Sequence, residues 1–324
     1  MKKRIIAALC SICLVFVCLT GCNTAKEETS KEKTATAGKT VIATTYAVYD
    51  WVKNVIGDSS GITLKYLVDS NVDLHSYQPS ADDIIEYQSA DLIICIGGES
   101  EEWISQLSLD NTKVVSLINY VSAKEEEIIE GMQGEEPEES EQEDEGPEYD
   151  EHIWLSLINA KACVNTIEEK LSEIDSNNEA NYKANAENYI NQLDTLDAEY
   201  KKAAEIATVK TLLFGDRFPF RYLIDDYGLS YYAAFIGCSA ESEASFETIA
   251  FLAEKVDELG LKVICVISQD HEIANSIINT TKSKDQTIVE FNSMQSISNN
   301  EADSLSYISI MEGNLTAFKT ALGE

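Results

Sequence analysis

Two histidines and one aspartate in this sequence have the side chains and the positions of metal ligands. His75 lies in the segment DLHSYQPSADD, directly after an apolar, strand-like run, and His152 lies in YDEHIWLS, directly before a helix-like segment. Asp216 follows another apolar run, in LLFGDRFPF. Imidazole nitrogens and carboxylate oxygens are ligands of zinc and manganese. The three positions are far apart along the chain, so a site made from them requires a folded cleft.

The predicted secondary structure alternates between strands and helices and places these side chains near strand ends. Strands are predicted at 40–44, 62–68, 92–96 and 113–117 in the first half of the chain and at 211–214, 231–236, 263–267 and 287–291 in the second half. Helices connect them, among them 81–89, 218–226, 243–259, 271–281 and 305–322. This alternation is typical of mostly parallel sheets, in which ligands bind at the carboxyl ends of the strands.

A long helical segment stands between the two halves. Apolar and aromatic residues recur at helical spacing up to about residue 206 and predict a rod of about 40 Å. The predicted fold is α/β, with two similar βα lobes of mostly parallel sheet joined by this long rigid helix and a metal site in the cleft between the lobes. The N-terminal lobe is placed at residues 40–175, the connecting helix at 176–208 and the C-terminal lobe at 209–324.

The segment that precedes the first lobe predicts export and a lipid anchor. Three basic residues come before an apolar run that is too short to span a membrane comfortably. The run ends in Leu19-Thr20-Gly21-Cys22, which has the form of a bacterial lipoprotein cleavage site. We expect residues 1–21 to be removed as a signal peptide, Cys22 to carry the lipid, and residues 22–39 to be a disordered tether. The alternative is a plain secretory signal with an unrelated cysteine.

Negative charge is concentrated in one segment of the N-terminal lobe. The formal net charge is −33, and more than half of the positions from 125 to 151 are acidic. Nucleic acid is excluded as a partner, because phosphate backbones require clusters of lysine and arginine. The acidic segment is predicted to be a mobile surface loop. Two roles fit it equally well, a loose collector of cations near a site and a solvated insertion.

Four cysteines remain beyond the leader: Cys95, Cys163, Cys238 and Cys265. No CxxC spacing occurs among them, so the sequence does not favour a thiolate metal site. We expect buried thiols, with a disulfide among them as the alternative. The third histidine, His271, begins a predicted helix and is expected to lie at the surface.

Two of these segments resemble the motifs of a known family, the zinc/manganese solute-binding lipoproteins of bacterial ABC transporters. DLHSYQPS, at residues 73–80, is similar to the family segment D-x-H-x-(Y/F)-x-P-(S/T), and DEHIWLS, at 150–156, is similar to D-P-H-x-W-L-(S/D). Phe220, Tyr222 and Tyr227-Gly228-Leu229 match a third segment. The likeness runs from Thr40 to the C-terminus and implies that His75 and His152 are the first two metal ligands.

The chain departs from the family pattern at the other two ligands. The third position, a histidine or glutamate in the family, falls on Arg217, whose guanidinium cannot bind a metal ion. Asp216 is the predicted substitute, and a water ligand is the alternative. The fourth position, an aspartate in the family, falls near Asn292. Two histidines with few carboxylates favour zinc over manganese.

The resemblance implies a binding protein and not an enzyme. It implies capture of Zn²⁺ at the outer face of the bacterial cytoplasmic membrane and delivery to an ABC permease driven by its ATPase, with the binding protein expected to be a monomer. A manganese carrier and a metal-binding surface adhesin are the alternatives within binding proteins. A metallohydrolase is the alternative from another class, although no G-x-S-x-G, HExxH, P-loop or Rossmann glycine motif is present.

Overall fold

The computed structural model describes residues 38–59, 61–67, 72–107, 109–110, 113–133, 148–239, 243–267 and 269–324. The predicted signal peptide, the lipidation site Cys22 and most of the predicted tether lie outside these ranges, as does the middle of the acidic segment. Within the described ranges, no helix is both long and apolar enough to cross a membrane.

In the described part of the chain, eight strands form two four-stranded parallel sheets. The first sheet has the order β2-β1-β3-β4 and contains β1 (Lys39–Ala43), β2 (Ile62–Tyr66), β3 (Leu92–Cys95) and β4 (Val114–Ser116). The second has the order β6-β5-β7-β8 and contains β5 (Thr211–Phe218), β6 (Ser230–Ile236), β7 (Val263–Val266) and β8 (Thr287–Glu290). Each half of the chain therefore repeats one strand order, and the predicted α/β fold with two similar parallel sheets is confirmed.

Helices cover the sheets and connect the strands. They are α1 (Tyr46–Ile56), α2 (Ala81–Ser89), α3 (Trp103–Gln106), α4 (Leu157–Ile174), α5 (Glu179–Ile206), α6 (Arg221–Asp226), α7 (Phe246–Leu259), α8 (Glu272–Thr280), α9 (Asn299–Ala302) and α10 (Tyr307–Ala321). Serines set several of the starts: Ser156 caps α4 by accepting a hydrogen bond from Asn159 N at 3.0 Å. Ser80 and Asp83 form a reciprocal capping box that begins α2, directly after the His75 segment.

The long helix α5 ties the two halves together. Its 28 residues make a rod of about 42 Å. In its first half, the Tyr189 hydroxyl donates to the Asp50 carboxylate in α1 at 2.8 Å. Nearer its end, the Tyr200 hydroxyl donates to the Met311 carbonyl in α10 at 2.7 Å. One apolar core runs through residues of both sheets and these helices, so the described residues belong to a single compact unit.

The strand β5 is longer than the sequence predicts. Its pairing with β6 shifts register between Phe214 and Arg217, and the strand continues to Phe218 instead of ending at Phe214. A bulge at this point accommodates one extra residue of β5 relative to β6. As a result, Arg217 is a strand residue paired with Phe235, and the following helix starts at Arg221 instead of 218.

The described flanks of the acidic segment are packed, which differs from the expected mobile loop. Glu125 pairs with Tyr149 in an antiparallel bridge, and Gln133 forms a parallel bridge with Phe235 of β6. Between them, Met132 is buried. Backbone pairing and one buried side chain therefore hold the described ends of the segment against the protein.

Candidate metal centre

Four side chains in the described ranges form a cluster that can hold a metal ion: His75, Glu151, His152 and Cys238. Each offers one ligand atom, and the four atoms lie within 4.8 Å of one another. His75 lies in a short 3-10 turn beyond β2, and Cys238 lies in the turn that follows β6. Glu151 and His152 lie just before α4. Segments from both halves of the chain therefore contribute to the cluster.

The two histidines are held in the same way. In each Asp-x-His segment, an aspartate oxygen accepts hydrogen bonds from the backbone N–H and from the ring Nδ1 of the histidine two residues later. The ring contacts are 2.7 Å from Asp73 to His75 and 2.8 Å from Asp150 to His152. The backbone contacts are 3.1 Å and 2.9 Å. A proton held on Nδ1 by the carboxylate leaves the Nε2 lone pair free to bind a metal ion.

Each Nε2 atom lies beside a polar side chain of the cluster or its surroundings. His75 Nε2 lies 3.0 Å from Glu151 Oε1. His152 is fully buried, and its Nε2 lies 2.9 Å from the Gln295 side-chain nitrogen. Gln295 is itself buried, and its Oε1 atom has no hydrogen-bond partner among the described residues. An orphaned buried acceptor beside two imidazoles indicates a place where a cation fits.

Charge in the cluster is arranged around His75. Burial lowers the pKa of this imidazole, but its hydrogen bonds to Asp73 and Glu151 outweigh burial and raise the pKa to about 9. Burial raises the pKa of Glu151, but the hydrogen bond from His75 and the nearby His152 ring bring that pKa below its ordinary value. Without metal, the protonated His75 ring therefore supplies the positive charge between the Asp73 and Glu151 carboxylates.

Two glycines make room for the ligands. Gly98 follows β3, and a Cβ at this position would overlap the side chain of Glu151. Gly237 precedes Cys238, and a Cβ there would lie 2.6 Å from Cε1 of His152. Glu151 is fixed further by Ser100, whose backbone N–H donates to Oε2 at 3.0 Å and whose hydroxyl donates to Oε1. The backbone next to the cluster is therefore shaped for close approach of these two side chains.

The cluster opens into an acidic cavity of about 560 Å³. His75, Cys238 and Ser100 line it together with four glutamates, Glu99, Glu125, Glu126 and Glu148. Burial raises the pKa of Glu99 to about 7, with a further contribution from Glu148. Most of these carboxylates belong to the flanks of the acidic segment, so the segment supplies negative charge at the entrance to the cluster.

Arg217 and Asp216 do not belong to this cluster. The Arg217 guanidinium donates to Asp73 Oδ2 at 2.9 Å, while the other oxygen of Asp73 holds the His75 ring. Arg217 therefore orients Asp73, the carboxylate that holds the His75 ring. The Asp216 carboxylate accepts hydrogen bonds from the Arg217 N–H at 2.8 Å and the Ile267 N–H at 3.4 Å. The role of Asp216 as third ligand stays a prediction, and the geometry favours Glu151 in its place.

The remaining predicted residues lie elsewhere. Asn292 is exposed, and its side chain accepts a hydrogen bond from the Met294 N–H at 2.8 Å. A little further along the chain, Gln295 is the residue that reaches the histidines. His271 directly precedes α8 and lies 3.0 Å from Glu290 at the surface. All four of these cysteines are free. Cys95, Cys163 and Cys265 are buried, as expected, whereas Cys238 lines the cavity.

Sequence reasoning missed Glu151, Gln295 and Cys238. Glu151 stands where the family segment D-P-H-x-W-L-(S/D) has proline. The only local indication that Glu151 could be a ligand was its position next to His152. Cys238 and Gln295 both follow strands of the second sheet at their carboxyl ends, where ligands of α/β proteins bind. Only the fold shows which strand ends meet.

Several known proteins are similar to this chain in sequence. Residues 41–321 match the family model described as ZnuA, zinc-uptake complex component A, periplasmic. The chain is 30% identical to the zinc-binding lipoprotein AdcA of Streptococcus pneumoniae over 98% of its own length and 60% of that protein. It is also 30% identical to the high-affinity zinc uptake system protein ZnuA of Bacillus subtilis over 87% of each chain.

A solved structure shows the same fold. The Zn(II)-bound ZnuA-like domain of Streptococcus pneumoniae AdcA matches with a TM-score of 0.70 and 26% identity, covering 89% of this chain and all of that domain. The present chain spans about 60% of the length of full AdcA. With a family match over most of its length and a relative of similar size, this chain belongs to the ZnuA family of zinc-uptake components.

Proposed function

We propose that this protein is an extracytoplasmic solute-binding lipoprotein that captures Zn²⁺ and delivers it to an ABC permease for import. The observation that carries the proposal is a pair of Asp-x-His clamps, in which Asp73 binds the His75 ring and Asp150 binds the His152 ring. The two clamps direct the Nε2 atoms of these histidines into one cluster with the Glu151 carboxylate. Such carboxylate–histidine pairs orient zinc ligands and raise their basicity. The family match and the zinc-binding names of the relatives support the choice of ion.

The ligands that we assign from this geometry are His75, His152 and Glu151. Two neutral imidazoles and one carboxylate match the donor sets that proteins use for zinc. The ion is cargo: it must bind and leave, and the family is one of transport components, so no catalytic role is assigned to it. A carrier for Mn²⁺ is the second candidate, and direct competition of the two ions for the site distinguishes them.

The surroundings of the site fit capture outside the cytoplasm. A net charge of −33 and the glutamate-lined cavity attract cations from dilute solution. We assign the lipid to Cys22, the anchorage to the outer face of the cytoplasmic membrane, and the release of zinc to a permease with its ATPase. We infer that the protein acts as a monomer.

We expect the lipid-free protein, which begins at Asn23, to bind one tightly held Zn²⁺ per chain. With free zinc at about 1,000 times Kd, the folded state gains about 4 kcal/mol, which raises the melting temperature by roughly 8 °C. Calorimetry gives the stoichiometry and thermal melting gives the shift, both in excess Mg²⁺ so that loose binding to the acidic segment does not contribute. No heat of binding and an unchanged melting temperature would contradict the proposal.

Glu151 and Asp216 can be compared directly as the carboxylate ligand. We expect Glu151→Gln to weaken zinc binding by about 10- to 100-fold, because a neutral amide oxygen replaces a charged ligand. The matched change Asp216→Asn is expected to alter the affinity by less than about threefold, since Asp216 bonds to backbone N–H groups instead. Chelator competition measures both. The opposite ranking would restore Asp216 as the ligand.

A further inference from the structure

We propose that the Cys238 thiolate is a fourth ligand of the captured ion and makes the site selective for zinc over manganese. The inference rests on the proposed function, since it concerns the same cluster. When the ion binds, a bond forms between the metal and Sγ, and the thiol proton leaves to solvent. The donor set becomes two imidazoles, one carboxylate and one thiolate.

The position of Cys238 meets the geometric requirement. Its Sγ lies within 4.8 Å of the ligand atoms of His75, Glu151 and His152. Bonds of about 2.0–2.3 Å in a tetrahedral zinc site place the ligand atoms about 3.5 Å apart. The four atoms must therefore approach by little more than about 1 Å, which is within the range of side-chain rotation.

Cys238 differs from the other described cysteines in its surroundings. Cys95, Cys163 and Cys265 are buried among apolar residues of the core. Cys238 instead lines the acidic cavity, and its thiol is hydrogen-bonded to the carboxylate of Glu126. The residue before it is a glycine that lies against the His152 ring so closely that a Cβ there would overlap it. The backbone before the thiol is thus fitted to a histidine of the cluster.

A second observation at the same place points to a ligand. Gln295 is more than nine-tenths buried, its Nε2 contacts His152 Nε2 at 2.9 Å, and its Oε1 atom has no hydrogen-bond partner among the described residues. A buried acceptor with no partner is costly unless something positive fills the space beside it. The cluster therefore has both the donor atoms for a cation and an unsatisfied oxygen next to them.

A thiolate changes what the site prefers. Soft sulfur ligands favour zinc, whereas carboxylate, carbonyl and water oxygens suit manganese. Cys238 also supplies sulfur at the fourth ligand position, for which the sequence offered only the amide oxygen of Asn292. The thiol therefore converts a site with two histidines and one carboxylate into one that discriminates against the oxygen-preferring ion.

The test uses Co²⁺ as a spectroscopic substitute for zinc in the lipid-free protein that begins at Asn23. The Co²⁺-loaded protein is expected to show thiolate-to-cobalt charge-transfer absorption in the near ultraviolet. Cys238→Ser is expected to lose this absorption and to bind Zn²⁺ about 10- to 100-fold more weakly, with less than about threefold change for Mn²⁺. The control is Cys163→Ala, which removes a buried thiol of α4 outside the cluster and is expected to keep the absorption.

A second measurement needs no variant. Saturating zinc is expected to protect Cys238 from alkylation by iodoacetamide, as read by mass spectrometry of its peptide. Wild-type protein that binds zinc without the charge-transfer absorption and without protection would overturn the thiolate ligand and leave zinc capture standing. Wild-type protein that binds no zinc at all would overturn both proposals. Absorption that persists in Cys238→Ser would also overturn this inference.

Discussion

Replacement of either His75 or His152 by alanine is expected to weaken zinc binding by about 100- to 1,000-fold. Structural zinc sites bind with about 10–16 kcal/mol, so each of four ligands accounts for roughly 2.5–4 kcal/mol. Since a tenfold change in affinity corresponds to about 1.4 kcal/mol, this is the expected loss for one imidazole. Each Nε2 is aimed into the cluster by a carboxylate on the opposite ring nitrogen, so alanine removes a preorganised ligand.

The third histidine supplies a matched control for these variants. His271→Ala removes an imidazole from the N-terminal end of α8, where the ring contacts Glu290 and lies outside the cluster. We expect its zinc affinity to stay within about twofold of wild type, since it holds no ligand. Competition against a chelator of known affinity ranks the three proteins. Unchanged binding in both His75→Ala and His152→Ala would remove these residues from the site.

His75→Ala and His152→Ala are expected to differ in their effect on the stability of the metal-free protein. His152 is fully buried, so His152→Ala opens a cavity and leaves Asp150 without its ring partner. His75 is partly exposed, and Asp73 retains the Arg217 guanidinium when His75 is lost. At pH values above 9, where the protonated His75 ring no longer stabilises the fold, we therefore expect His152→Ala to lower the melting temperature of the metal-free protein more than His75→Ala does. Circular dichroism of each metal-free variant separates lost folding from lost binding.

The fold was accessible from sequence because its signals are local. The strand β3, LIIC, is buried at every residue and forms a continuous apolar run. The capping serines Ser80 and Ser156 mark helix starts by hydrogen bonds to the backbone of the first helical turn. The prediction was wrong at β5, where a bulge carries the strand past Phe214. A bulge depends on pairing with another strand and therefore leaves little trace in the local pattern.

For the same reason, only half of the metal cluster could be predicted from the sequence. The two Asp-x-His clamps are local motifs, since each aspartate bonds to a histidine two residues later. Glu151, Cys238 and Gln295 reach the cluster through contacts between segments far apart in the chain. The absence of CxxC spacing argued against a thiolate ligand, but that rule concerns sites built from one short segment. A site assembled at strand ends takes single residues from several segments.

The acidic segment gains a more specific role from the fold. Its described flanks are attached to β6 by the bridge at Gln133 and to each other by the bridge between Glu125 and Tyr149. These attachments place Glu126 and Glu148 in the lining of the cavity. Of the two roles that composition allows, the geometry favours collection of cations at the entrance to the site.

Zinc affinity is expected to rise steeply with pH between 6 and 8. Burial lowers the pKa of His75, but hydrogen bonds to Asp73 and Glu151 raise it to about 9, so the metal-free imidazole carries a proton throughout this range. Zinc needs the neutral ring, and one competing proton changes the affinity about tenfold per pH unit below the pKa. The rise from this proton is therefore about 100-fold, and it levels off near pH 9.

The stability of the metal-free protein is expected to change in the opposite direction. The folded pKa of His75, about 9, lies above its unfolded value of 6.5, so the protonated ring stabilises the fold below pH 6.5. That contribution, about 3 kcal/mol, is lost as the pH rises through 9. The metal-free melting temperature should therefore fall with pH over this window, while the increase in melting temperature caused by zinc should grow.

Two variants separate the protons that contribute to the pH effect. Cys238→Ser has no thiol proton to lose and is expected to follow the slope that the His75 proton sets, whereas wild type should be steeper because its thiol also loses a proton on binding. Glu151→Gln removes one of the two carboxylates that raise the pKa of His75, so the part of the slope that comes from the His75 proton should end at a lower pH than in wild type. Chelator competition, corrected for the protonation of the chelator, gives each slope. A zinc affinity independent of pH in wild type would show that His75 releases no proton when the ion binds, and would contradict the raised pKa of this imidazole.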